Sequence, residues 1–243
     1  MQPELRPVRT DDSRYGRGGP FAAGAGVAIS PEAQKVMRNT YLLLAATMVP
    51  TIAGALLGMA TGGIILQSPI MSSVIMLVAV IGLQFAIAKN RNSGVGVALL
   101  LLMTGILGWW LGPILNFALA LKNGMQLVGY AAAGTGVIFF AMGAIATTTK
   151  RDFSFMGKFL FVGMIALLIA MFANMFLQIP ALALTISTLV IVVFSLFLLF
   201  DLNRIVRGGE TNYIMATTGV YMSLFNIFAN LLYLLMALAG QRE

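Results

Sequence analysis

The residue best placed to do chemistry in this sequence is Asp201, which stands at the end of a long apolar segment in the run Phe200-Asp201-Leu202-Asn203-Arg204. A carboxylate at a helix end can form a surface ion pair with a cation three residues later, here Arg204. It could instead be buried against a neighbouring helix and exchange a proton as part of a gate. Arg204 and Arg207 are the candidate charge partners. We favour the surface pair, because charged side chains at the ends of membrane helices commonly reach into the interface.

A second set of polar residues consists of carboxamides spaced four apart. Asn226 and Asn230 share one face of a predicted helix, and Asn174 and Gln178 repeat the spacing in another. Such side chains either line a polar path or form hydrogen bonds between helices, which contribute about 0.6–2 kcal/mol each inside a membrane. The sequence favours bonds between helices.

Several classes of function are excluded by residues that the sequence lacks. It contains no histidine and no cysteine, so the zinc-protease motif HExxH, a Ser–His catalytic pair and thiol chemistry are all excluded. No GxGD motif and no nucleotide-binding loop occur either. We therefore predict a protein that is not an enzyme and that has no metal site and no cofactor.

Seven apolar segments must position these polar residues. The hydrophobic fraction is 59% and the charged fraction only 9%, which is typical of a membrane protein. A helix crosses the hydrocarbon core with about 20 apolar residues. The predicted fold class is all-α, a polytopic bundle of seven transmembrane helices over residues 31–240. The predicted spans are roughly 40–60, 69–88, 94–115, 125–147, 157–177, 180–200 and 214–239.

Two segments before the first span are predicted to differ from the spans. Residues 1–30 are rich in glycine, proline and charge and have no apolar period, so we expect a disordered tail. After it, Ser30, Pro31 and Glu32 form a helix-start pattern that opens a short interfacial helix reaching Thr40.

Positive charge alternates along the links between the spans. Of 15 Lys and Arg residues, 13 lie in the N-terminal tail and in the second, fourth and sixth links, and only Lys122 and Arg242 lie on the other side. Cytoplasmic loops accumulate Lys and Arg, which predicts a cytoplasmic N-terminus and a periplasmic C-terminus. This bias accounts for the net charge of +7 without a nucleic-acid partner.

Small residues recur at four-residue spacing within the spans, as expected where helices pack closely in lipid. The pairs are Gly54 and Gly58, Gly108 and Gly112, Gly129 and Ala133, and Gly219 and Ser223.

Three stretches in order resemble the Bax-inhibitor-1 (transmembrane BAX inhibitor motif) family over roughly residues 36–239. The stretches are TTKRDFS at 148–154 followed by Gly157, FDLNRI at 200–205 continuing to GGETNY at 208–213, and VYMSLFNIF at 220–228. In family members described as pH-gated calcium leaks, an aspartate matching Asp201 shares a proton with a second aspartate in span seven. Ser223 stands at that second position here, so the coupled pair is incomplete. Asp201, Ser223 and Asn226 are the gating positions that the resemblance suggests.

The stretch FDLNRIVRGGETNYI at 200–214 and Ser223 resemble the bacterial YccA-like branch of that family. This likeness implies a bacterial inner-membrane protein that binds and modulates the membrane-anchored ATP-dependent protease FtsH, both as its substrate and as a restraint, in membrane protein quality control. The alternative is a cation (calcium) leak channel with a degenerate pH-sensing pair. The partners implied are the FtsH-type protease complex and the lipid bilayer.

Overall fold

The computed structural model describes residues 29–240, which form eight α-helices and no β-strand. The helices are α1 Pro31–Thr61, α2 Gly63–Gln67, α3 Pro69–Lys89, α4 Gly94–Ala120, α5 Gly124–Thr148, α6 Met156–Leu177, α7 Pro180–Val206 and α8 Tyr213–Gly240. All but the short α2 are long and apolar enough to cross a membrane. The all-α fold with seven candidate membrane-spanning helices is therefore confirmed.

The helix bounds differ from the predicted spans most at the first helix, and α4 and α7 also run five and six residues past their predicted ends, to Ala120 and Val206. The expected interfacial helix ending at Thr40 is not separate, because α1 runs without a break from Pro31 to Thr61. Its start is as predicted, since the Ser30 hydroxyl accepts a hydrogen bond of 3.2 Å from the Ala33 N–H and Pro31 occupies the first helical position. The predicted disordered tail falls almost wholly on residues 1–28, which lie outside the described residues.

Helices α1 and α4 run parallel and share the most extensive helix contact of the structure. Gly54 lies against the backbone of Gly105, and four residues later Gly58 lies against the backbone of Trp109. Gly112 meets the Gly58 backbone in turn, so a Cβ at any of these positions except Gly105 would overlap main-chain atoms. Close backbone approach replaces the hydrophobic drive that lipid does not supply. We call this contact, built on Gly54, Gly58, Gly108 and Gly112, the α1–α4 seam.

Helix α8 lies at the centre of the bundle. It contacts α1, α3, α4, α5 and α7, and its side chains Val220, Ile227 and Leu232 are fully buried. The Tyr221 hydroxyl lies 2.8 Å from the Thr51 hydroxyl of α1, which ties the central helix to the α1–α4 seam. Helix α6, in contrast, packs mainly on α7 and lies at the periphery.

The links between the helices gather at the two ends of the bundle. The basic end comprises the links 90–93, 149–155 and 207–212, and the far end comprises the links 62–68, 121–123 and 178–179. Asp201 lies near the basic end, one to two turns before α7 stops.

Candidate functional site at the α7–α8 contact

The side chain of Asp201 packs directly against Gly219 of α8. An added Cβ at Gly219 would lie 2.5 Å from Asp201 Oδ2 and 3.0 Å from its Cγ, so the carboxylate occupies the space that a side chain on Gly219 would need. We call this space the Gly219 slot. The Asp201 carboxylate makes no hydrogen bond with any other residue in the range 29–240. Of the two sequence interpretations, the structure favours the carboxylate packed between helices.

Ser223 and Asn226 continue the face of α8 that carries the slot. Ser223 lies one turn beyond Gly219 and is 2% exposed, but no hydrogen bond joins it to Asp201. Asn226 follows on the same face, where its Nδ2 donates to the Met222 carbonyl at 2.9 Å. The structure thus places Asp201, Ser223 and Asn226 along one α7–α8 contact, as the resemblance suggests, with only one titrating group among them.

The predicted carboxamide bonds between helices are wrong. Asn230 Nδ2 donates to the Asn226 carbonyl of its own helix at 2.9 Å, as Asn226 does one turn earlier. The reason is local, since the carbonyl of the preceding turn lies within reach of a short polar side chain. Asn174 Oδ1 accepts from the Ile179 N–H at 3.1 Å, and Gln178 adopts a left-handed φ of 52° that ends α6.

The expected ion pair between Asp201 and Arg204 is not formed. Arg204 Nη2 lies 3.1 Å from Glu210 Oε2 in the link after α7, and its guanidinium lies 5.4 Å from the Phe200 ring centre. Arg207 donates to the Lys150 carbonyl instead. Both arginines lie near the end of α7 and bind groups in the links, whereas Asp201 faces α8. Neither candidate charge partner therefore forms an ion pair with Asp201.

Asn203 is a structural residue that the sequence interpretation missed. It is 1% exposed, its Oδ1 accepts from the Phe153 N–H at 3.3 Å, and its Nδ2 lies 3.4 Å from the Arg151 carbonyl. It therefore fastens the 149–155 link to the end of α7, next to the Arg207 contact with Lys150. No local pattern in the sequence marks Asn203, because its partners lie on a link some 50 residues earlier in the chain.

Asn212 fastens the third link of the basic end. Its Oδ1 accepts from the Ile214 and Met215 N–H groups and so caps α8. Its Nδ2 donates to the Arg91 carbonyl at 2.8 Å and to Asn92 Oδ1 at 2.9 Å. The segment from Asn203 to Asn212 thus holds both other links of the basic end beside the Asp201 position.

Asp152, in the 149–155 link, is a further acidic group near this end, besides Glu210. Hydrogen bonds from the Ser154 hydroxyl and the Ser154 N–H lower the pKa of Asp152 below its usual value, and the charge of Arg207 acts in the same direction. The N–H bond measures 2.8 Å. Asp152 is fully exposed, so its ionised form serves to order the link rather than to gate the bundle.

The arrangement offers little for catalysis. The α7–α8 contact holds one carboxylate, and within residues 29–240 no group of three or more His, Cys, Asp or Glu side chains could hold a metal ion. Hydroxyl and amide groups beside a lone carboxylate can order water or a neutral polar group, but they provide no general acid–base pair.

Comparisons with known proteins agree with the resemblance. The family described as "Inhibitor of apoptosis-promoting Bax1" (Bax1-I) matches residues 33–241. The chain is 42% identical over 204 residues to an uncharacterized membrane protein of Vibrio cholerae, covering 84% of this chain and 90% of the relative. It is 42% identical over 201 residues to the Modulator of FtsH protease YccA of Escherichia coli, covering 83% and 89%. An uncharacterized protein of Pseudomonas aeruginosa is 36% identical over 212 residues, covering 87% and 93%.

The location follows from the same findings. A second Escherichia coli relative, also 42% identical over 201 residues, carries the name Inner membrane protein YccA. Together with the seven apolar helices, this makes the chain a multi-pass inner-membrane protein. Because the family match spans nearly the whole helical domain, the chain belongs to the Bax1-I family of membrane proteins.

Proposed function

We propose that this chain is a non-enzymatic inner-membrane protein that binds and modulates an FtsH-type membrane-anchored protease, as a substrate that also restrains it. The observation that carries the proposal is the 42% identity, over 83% of the chain, to an Escherichia coli protein named Modulator of FtsH protease. The site supports it, since the α7–α8 contact presents one carboxylate and no acid–base pair for catalysis.

The N-terminal tail is the proposed point of engagement. An ATP-driven protease needs an extended segment to begin pulling, and Met1–Ala25 has the composition of one. The links of the basic end are poor alternatives, because Asn203, Arg207 and Asn212 hold two of them against the bundle. They are also short, and an extended residue spans only about 3.3–3.6 Å.

Deletion of residues 2–20 tests this proposal. We expect the truncated protein to fold, because residues 2–20 contain few apolar side chains, but to have a longer half-life in cells that contain the protease. If the truncated form still binds, it should also slow the turnover of other membrane substrates. The measurement is a chase of both forms in Escherichia coli with and without FtsH. A form in which residues 2–20 are shuffled is the matched control and should be degraded like the original.

Two results would overturn parts of the proposal. Equal protease-dependent half-lives for the full and truncated forms would remove the tail as the engagement point. A half-life that does not depend on the protease, together with no recovery of FtsH in a pull-down from native membranes, would remove the protease as the partner.

The proposal requires the basic end and the tail to face the cytoplasm, in agreement with the charge bias of the links. The chain has no native cysteine, so single cysteines can be labelled without background. An impermeant thiol reagent added outside spheroplasts should label Asn123→Cys at the far end and leave Ser154→Cys and Thr211→Cys at the basic end unlabelled. The reverse pattern would contradict the orientation.

A second candidate function is a cation leak, favoured by the alignment of Asp201, Ser223 and Asn226 along one helix contact. Calcium prefers several carboxylate oxygens, and only one carboxylate is present there. We therefore expect weak calcium flux in liposomes with little dependence on pH between about 6 and 8, and Ser223→Asp should introduce a dependence by creating a coupled acid pair. Steep gating of the unmodified protein that Asp201→Asn abolishes would favour the leak channel over the protease partner.

A further inference from the structure

A cavity of about 360 Å³, open to the surface of the bundle, lies in the half nearer the far end, between α4, α6, α7 and α8. It exists because α6 packs mainly on α7, which leaves a gap between α6 and the central helix α8. The cavity lies away from Asp201 and is lined by Asn174, Ser187, Asn230 and Tyr233 among apolar side chains. Its volume is within the range of small-molecule sites.

Ser187 is the residue that marks this cavity as more than a packing gap. It is 6% exposed, and its hydroxyl makes no hydrogen bond with any of residues 29–240. The other hydroxyl residues of α7 behave differently: Thr185, Thr188 and Ser195 each donate to the carbonyl four residues earlier, at 2.7–2.9 Å. Among residues 29–240 only the Thr40 hydroxyl is a fully buried side-chain polar atom without a partner, so the Ser187 hydroxyl keeps some accessible surface. The Ser187 hydroxyl is thus a donor facing the cavity.

The two carboxamides add a complementary set of free groups. The Oδ1 of Asn174 accepts from the Ile179 N–H, so its amide nitrogen remains as a donor. Asn230 uses one amide hydrogen on the Asn226 carbonyl, so its Oδ1 remains as an acceptor. The cavity therefore offers at least two donors and one acceptor at fixed positions on three helices.

The walls also restrict the charge of an occupant. No Lys, Arg, Asp or Glu among residues 29–240 lines this cavity, and a charged group placed in it would lose its hydration without a counter-charge. A second cavity of about 610 Å³, lined almost entirely by apolar side chains, adjoins it and shares Ile114 and Tyr233. An uncharged polar group joined to an apolar chain matches this pair of spaces.

We propose that the two cavities together form a binding site for an uncharged acylglycerol. The Ser187 hydroxyl and the Asn174 side-chain amide donate to the ester carbonyls of the lipid, and Asn230 Oδ1 accepts from its free glycerol hydroxyl. One acyl chain lies in the adjoining apolar cavity beside Trp110. A phospholipid has the same ester groups but adds a charged phosphate, for which the cavity has no cation.

The test uses Trp110 as the reporter. The chain has two tryptophans, so the Trp109→Phe variant leaves Trp110 alone to be quenched on contact by bromine. In detergent micelles, dioctanoylglycerol with brominated chains should quench Trp110 in a saturable way. Unbrominated dioctanoylglycerol should compete, and dioctanoyl-phosphatidylglycerol should compete at least about tenfold less well, as expected for a desolvated charge.

Substitutions of two serines on the same helix provide the matched comparison. Ser187→Ala should weaken binding about tenfold, the share of one hydrogen bond, and Ser195→Ala should leave it unchanged. If Trp109→Phe impairs folding, native mass spectrometry of the unmodified protein with the same two lipids replaces the fluorescence. Quenching that rises linearly without saturation, equal competition by both lipids, or equal affinity of the Ser187→Ala and Ser195→Ala variants would each overturn the proposal and leave a cavity filled by water or bulk lipid.

Discussion

Two of the helix contacts among residues 29–240 place glycine against a neighbouring helix for opposite purposes. In the α1–α4 seam, Gly54, Gly58, Gly108 and Gly112 let one backbone touch another. At the Gly219 slot of the α7–α8 contact, the space left by the missing side chain is taken by the Asp201 carboxylate. The first contact gains packing where lipid supplies no hydrophobic drive, and the second makes room for an ionisable group between helices.

The difference shows what a small residue at a helix contact does and does not reveal. Both contacts carry the same four-residue spacing, Gly54 and Gly58 in one and Gly219 and Ser223 in the other. The neighbour decides the role: it is a main chain that cannot move aside in the first and a side chain that can rotate in the second. Substitutions should therefore have different costs and different remedies at the two contacts.

The largest effect is expected in the α1–α4 seam. Gly112→Ala would place a methyl group on the Gly58 backbone, so the helices must separate, and we expect a loss of about 3 kcal/mol or more of unfolding free energy. The measurement is unfolding by increasing SDS in mixed micelles, followed by helicity. Gly136→Ala is the control, because a Cβ there meets open space, and it should change stability by no more than about 0.5 kcal/mol. Equal effects of the two variants would refute the seam as described.

Gly219→Ala should cost less and should be rescued. The three atoms nearest to the added methyl group all belong to the Asp201 carboxylate, and overpacking of this kind costs about 1–3 kcal/mol. In a double-mutant cycle, the penalty should disappear in an Asp201→Ala background, since the obstacle is then gone. A penalty that stays the same without Asp201 would show that backbone, as in the α1–α4 seam, is the real neighbour.

Tyr221→Phe tests the link between the two contacts. Its hydroxyl lies 2.8 Å from the Thr51 hydroxyl, and interhelical hydrogen bonds in membranes average about 0.6 kcal/mol. We expect a loss of that size, measured by the same SDS titration. Tyr130→Phe, on an exposed tyrosine of α5, serves as the control. A loss no larger than that of the control would mean that the two contacts are energetically independent.

The smallest effect concerns the link that covers the end of the α7–α8 contact. Because the pKa of Asp152 is lowered by its bonds from Ser154, the ordering of this link is present above the usual carboxyl pKa near 4 and is lost as the pH falls through the lower folded value. Protection of the Ser154 amide against hydrogen exchange, corrected for the intrinsic rate, should fall over that acidic range. Asp152→Asn should remove the pH dependence, and a dependence that persists in the variant would assign it to another group.

The seven long helices could be predicted from the sequence because membrane spans depend mostly on apolar length. The contacts between them were only partly predictable. Gly54, Gly58, Gly108 and Gly112 do pack against backbone, but Gly129 has the same spacing to Ala133 and faces open space. Spacing identifies a helix face but not the neighbour that covers it.

The polar residues show the same limit. The expected pairing of Asp201 with Arg204 considered α7 alone. In the structure Asp201 lies against Gly219 and Arg204 pairs with Glu210, and both of these neighbours lie beyond the end of α7. Asn203 was overlooked because its partners are backbone atoms some 50 residues earlier. Contacts of this kind depend on how the helices assemble, which local patterns do not encode.

The register of the α1–α4 seam has a mechanical consequence. Gly54 and Gly58 lie against Gly105 and Trp109, and Gly62 lies against Pro113. These contacts recur in steps of four residues, so the last turns of α1 pack on α4 in register. A motor that pulls on the N-terminus draws α1 along its own axis. In that direction the glycines of α1 must all pass the main-chain atoms of α4 at the same time. Moving α1 sideways away from α4 does not force these atoms past one another. The resistance of this bundle to extraction should thus depend on the direction of force, being high along the helix axis and low across it, a property that no equilibrium measurement of stability would register.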